Sequence, residues 1–66
     1  MSELNVVLYE IDGGTDKATG EWVFFIEAVD EGEGRLTIWT GPNYDDAIKI
    51  AHHTAEGLPV VDVVVI

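Results

Sequence analysis

Two adjacent histidines, His52 and His53, are the residues of this chain best suited to proton transfer near neutral pH or to holding a transition metal. Ligands on one helix must lie three or four residues apart to share a face. Neighbouring helical residues point about 100° apart, so His52 and His53 do not chelate jointly from a helix. His52 and Glu56 have the i, i+4 spacing, but there is no further His and no Cys to complete the usual zinc ligand set. The expectation is that His52 flanks an apolar stripe and His53 is solvated.

The carboxylates invite a second chemistry, calcium binding. Asp12, Asp16 and Glu21 share one polar segment; Asp30, Glu31 and Glu33 share another. Neither has the alternating oxygen ligands and terminal Glu of an EF-hand loop, so both read as charged turns. The segment Gly13-Gly14-Thr15-Asp16-Lys17-Ala18-Thr19-Gly20 is rich in glycine, yet it lacks the Gly-Lys-Ser/Thr ending of a phosphate loop and no helix pattern comes after it. Ala18 interrupts what would otherwise be the Asp-Lys-Thr-Gly phosphorylation motif of ion-pumping ATPases. Ser2 is the single serine, and nothing pairs a nucleophile with a base. Paired carboxylates need a pocket that separates their pKa values, which so short a chain rarely encloses. The expectation is a non-catalytic protein with no cofactor and no metal. The rival is a subunit of an enzyme whose site forms at an oligomer interface, with His52 or His53 as the acid–base group.

Sixty-six residues make a single domain, spanning 1–66, with a thin core. Without cysteine, disulfides are excluded, which leaves a partner subunit as a source of added stability. Thirteen acidic residues stand against Lys17, Arg35 and Lys49, for a net charge of −10. That balance disfavours direct contact with nucleic acid or an anionic membrane. It suits solubility, a basic protein partner or a salt-rich cytoplasm. Met1-Ser2-Glu3-Leu4 has no signal-peptide character, and no apolar run reaches the roughly 20 residues of a membrane helix, so a cytoplasmic location is expected.

These residues must be held by a few short elements. Leu4 to Ile11, Trp22 to Val29 and Arg35 to Thr40 are dense in β-branched and aromatic residues and read as three antiparallel strands. Turn residues separate them at Asp12 to Gly20 and Asp30 to Gly34. Tyr44, Ala47, Ile48, Ala51, Ala55 and Leu58 then fall on one helical stripe. Asn43 caps a helix Tyr44 to Glu56, Asp45 and Asp46 sit in its positive first turn, and Gly57 and Pro59 end it. Val60 to Ile66 forms a fourth strand. The expected fold is α+β, β-β-β-α-β: a four-stranded mixed sheet with one helix on one face. The fourth strand pairs with the first, giving the order 4-1-2-3, or lies beside the third.

Strict alternation sends Leu4, Val6, Leu8, Trp22, Phe24, Ile26, Ala28, Leu36, Ile38, Val61, Val63 and Val65 towards the helix. The opposite face then carries Val7, Tyr9, Val23, Phe25, Trp39 and Val64, together with Ile11, Val60 and Ile66, inside a polar border. An uncovered apolar face of that kind points to association, so Val7, Tyr9, Val23, Phe25, Trp39 and Val64 are the expected association face of a homodimer.

The order of three strands and a helix, with Asn43-Tyr44-Asp45-Asp46-Ala47 opening that helix and Ala51 one turn on, resembles the amino-terminal domain of HicB-type antitoxins. The resemblance is one of pattern and extends to about Ala55; Asp30-Glu31-Gly32-Glu33-Gly34 replaces the family's Pro- and Gly-containing segment before the third strand. It implies an acidic, antitoxin-like domain that binds a basic protein. The primary expectation from the residues themselves is a small acidic interaction domain that self-associates through its open sheet face.

Overall fold

The strand and helix signals are met in the order β1 (Val6–Thr15), β2 (Trp22–Asp30), β3 (Arg35–Gly41), α1 (Tyr44–Ala55) and β4 (Val60–Asp62). The computed structural model describes residues 5–32 and 34–64. Leu4, Val65 and Ile66, expected on the sheet faces, and Glu33 of the acidic turn lie outside them. The sheet order is β3-β2-β1-β4, with β1–β2 and β2–β3 antiparallel and β4 parallel to β1. This is the α+β mixed sheet with one helix, and of the two strand orders it is the one that places the last strand against the first.

Helix α1 starts where capping chemistry puts it. The Asn43 side chain accepts from the Asp46 backbone N–H at 3.2 Å, and Asp45 and Asp46 occupy the first turn. The helix ends one residue before the expected Glu56. Glu56 itself takes the left-handed conformation, φ 49°, and Gly57 comes next at φ 98°.

β1 is longer than its composition suggests. Asp12, Gly13 and Gly14 have turn chemistry, yet they pair with Phe25, Phe24 and Val23, and the true turn is confined to Asp16–Glu21. Ladder pairing against an aromatic strand outweighs local propensity there. A Cβ on Gly13 would lie 2.6 Å from the Trp22 ring, so the missing side chain is what lets the indole lie across the strand. Gly41 does the same for Trp39, at 2.5 Å.

The core is small. Ile11 and Ile26, at 1% and 0% exposure, pair across β1 and β2 and meet Ala47 and Ala51 of the helix. Tyr9, Phe24, Trp39, Tyr44, Ile48, Ile50, Val60 and Val64 pack around them. This corrects strict alternation, which puts Tyr9, Trp39, Val64, Ile11 and Val60 on the opposite face. The cause is a pair of bulges. The β1–β2 register shifts between Val6 and Leu8, leaving Val7 as the extra residue. The β2–β3 register shifts between Ile26 and Glu27, leaving Ile38 as the extra residue. Each added residue reverses the facing of the strand beyond it, and β4 inherits the reversal through its pairing of Val60 with Tyr9.

One carboxylate ties down the β2–β3 turn. Asp30 accepts from the backbone N–H of Asn5 at 2.6 Å and of Gly32 at 2.9 Å. These bonds, Gly32's foremost, lower its pKa below the ordinary 3.8. A carboxylate depressed in the folded state contributes stability above its unfolded pKa and loses it as pH falls through the folded one. Asp30→Ala is therefore expected to melt below the native protein at neutral pH, with the gap closing under acid. Thermal melts taken stepwise from pH 7 to below 3.8 check this; a gap that stays constant contradicts it.

Candidate functional site

The face of the sheet away from the helix is set by the register. Glu10 lies opposite Glu27, Asp12 opposite Phe25 and Leu8 opposite Val29, all out of phase with the core pair Ile11–Ile26. Val23 continues that face on β2, while Arg35, Thr37 and Thr40 join it from β3 through Val29, Glu27 and Phe25. Val61 joins from β4, opposite Glu10.

The composition differs from the expected apolar surface. Of the six expected association residues, Val23 and Phe25 lie on this face, Val7 protrudes at the β1 bulge, and Tyr9, Trp39 and Val64 belong to the core side. The centre is acidic. One carboxylate oxygen from each of Glu10, Asp12 and Glu27 lies within 4.8 Å of the others, all on part-buried side chains. The Arg35 guanidinium donates to Glu10 at 2.8 Å and reaches Glu27 at 3.5 Å through the same Nη1. That hydrogen bond to Glu10, and the negative charge of the pair, hold the guanidinium pKa above its ordinary value. Sequence reasoning places Asp12 in a turn and leaves Glu27 and Arg35 as polar residues within two of the strands. Only the register, with Glu10 facing Glu27, brings the set together.

Three side-chain oxygens fall short of the six to eight that calcium takes, and Arg35 already stands against two of the acids. Among the described residues the histidines form no such group: His52 and His53 are exposed on α1. Tyr44 donates its hydroxyl to Asp62, joining helix to β4, and that bond raises the phenol pKa. The described residues enclose no pocket, and none of their helices is long and apolar enough to cross a membrane. No protein-family model, curated protein or solved structure matches the chain.

The excess of acids predicts a salt response. Thirteen carboxylates repel one another on a small body, three basic residues offset little of it, and expansion on unfolding relieves it. The screening length falls from ~10 Å at 0.1 M salt to ~3 Å at 1 M. The melting temperature is expected to rise steadily in sodium chloride over about that range, with a neutral osmolyte as control for general exclusion effects. A flat or falling curve would show that the acids are spaced widely enough not to strain the fold.

Proposed function

We propose that this chain is a non-catalytic protein-interaction domain whose open sheet face receives a basic segment of a partner protein. The observation that carries the reading is the imbalance at Glu10, Asp12 and Glu27, three clustered carboxylates of which one guanidinium, that of Arg35, meets two. Arg35 serves as an internal example of the group the seat accepts. A planar guanidinium bonds carboxylates better than a lysine does, and it tolerates partial burial between apolar neighbours such as Leu8, Phe25 and Val61. The net charge of −10 adds long-range attraction for a cation-rich partner. The likeness in pattern to HicB-type antitoxins supports the same class of partner. Face-to-face self-association fits this surface less well, because two copies would set the same three carboxylates against each other.

Titration calorimetry with hexa-arginine and hexa-lysine as probes tests the reading. Hexa-arginine is expected to bind more tightly, and Glu10→Gln with Glu27→Gln to weaken it by about tenfold, which is ~1.4 kcal/mol. Glu56→Gln, at the far end of the helix, should leave binding close to native. If Glu56→Gln weakens binding as much as the open-face pair, the attraction is diffuse and the seat is not a site.

A further inference from the structure

We infer that two copies of this chain join edge to edge through β3, making one continuous sheet across the pair. β3 is an outer strand of the sheet order β3-β2-β1-β4, so among the described residues no strand pairs with its other side. An outer strand presents backbone N–H and C=O groups that another strand can pair with. Paired with its own copy about a two-fold axis, β3 meets itself antiparallel, the better of the two ladder geometries.

Charge selects this edge, and a second copy presents the same carboxylate-free strip about the two-fold axis. Every other element carries carboxylates: Glu10 and Asp12 on β1, Glu27 and Asp30 on β2, Asp45 and Asp46 on α1, and Asp62 on β4. β3, Arg-Leu-Thr-Ile-Trp-Thr-Gly, carries none and holds Arg35. For a body of net charge −10 approaching a second body of −10, this strip offers the path of least repulsion. Two of its exposed side chains are apolar, Leu36 at 50% and Ile38 at 39% accessible, and the rest, Arg35, Thr37 and Thr40, carry no negative charge. The other outer strand, β4, has three residues and ends in Asp62, which suits it less to pairing.

The bulge at Ile38 limits the ladder to short runs on either side of it, and a two-fold contact of that size is small for a stable dimer. The association is therefore a concentration-dependent equilibrium. It leaves the open face free and sets two acidic seats side by side on one surface, so it adds to the proposed partner binding without depending on it.

Sedimentation equilibrium across a concentration series tests the inference, with 7.2 kDa as the mass of one chain. The mass is expected to rise to that of two chains, and to do so at lower protein concentration as sodium chloride is added. Leu36→Glu and Ile38→Lys, both at exposed positions, should each raise the dissociation constant about tenfold or more, with far-UV circular dichroism unchanged. Val23→Lys, on the open face, should leave it near native. Amide exchange gives an independent reading: β3 amides should gain protection as concentration rises. A single-chain mass up to about 100 µM, or a dimer weakened by Val23→Lys and indifferent to Leu36→Glu, overturns the inference.

Discussion

Ile26→Ala is expected to leave this domain largely unfolded at room temperature. Ile26 is fully buried on the central strand β2, between Ile11 and Trp39 in the sheet and beneath the helix alanines. Removing that much of a large aliphatic side chain costs ~2–5 kcal/mol, the more so where neighbours cannot collapse into the gap. On the helix side the fully buried members of its cluster are Ala47 and Ala51, which have no side-chain length with which to fill it. Total stability scales as roughly 0.05–0.15 kcal/mol per residue, or ~3–10 kcal/mol for a chain of this length. The loss is therefore comparable with the whole. Far-UV circular dichroism should show no cooperative thermal transition, or one beginning near ambient temperature. Ile11→Val, which removes one methyl from the facing side chain, should cost only ~0.5–1.5 kcal/mol and keep a sharp transition. An Ile26→Ala protein that melts within a few degrees of the native one would mean that the core is not centred on this residue.

Gly41→Val should destabilise by ~1–3 kcal/mol, although valine is the better strand former. Propensity alone predicts a gain, because glycine has the greater backbone freedom to lose on folding. The local geometry decides the other way. A Cβ at this position would stand 2.5 Å and 2.6 Å from two atoms of the Trp39 ring, and Trp39 packs against the core cluster and cannot withdraw without uncovering Ile26. Gly13→Val is the instructive comparison. Its Cβ meets the Trp22 ring at 2.6 Å, but Trp22 is 51% exposed and can swing into solvent. Urea denaturation should rank the pair with the Gly41 variant clearly the less stable. Equal midpoints would show that the Trp39 ring is as free to move as Trp22.

The elements, their order and the helix caps are legible in the sequence because each rests on local chemistry. Asn43 caps, Asp45 and Asp46 favour the first turn, and the Ala47–Ala51–Ala55 stripe is buried as its spacing requires. The facing of the strands is not legible. Both phases of β1 carry apolar residues, Val6 and Leu8 in one and Tyr9 and Ile11 in the other, so alternation has no preferred reading there. The deciding events are single-residue bulges at Val7 and Ile38, which carry none of the glycine or proline signals that mark irregular strands. The acidic seat is hidden for the same reason. Glu10 and Glu27 are far apart in the chain, and Asp12 sits beside two glycines that read as a turn. Trp22 and Trp39 give the available clue: large rings need flat ground beside them, and Gly13 and Gly41 provide it.

The molecule measures 17 Å through its thinnest direction. At physiological ionic strength the screening length for exposed charges is ~8 Å, about half that thickness. The two broad sides of the slab are therefore nearly deaf to one another. Asp45 and Asp46 on the helix side and Glu10, Asp12 and Glu27 on the other act as separate fields, and neutralising one set should leave the potential over the other almost unchanged. A body this thin also lets a modification on its helical side, such as a change of charge near the first turn of α1, pass without disturbing a partner bound beneath the sheet. Communication between the sides would have to travel mechanically, through the shared contact of Ile11 and Ile26 with the helix, because the electrostatic route is closed by salt.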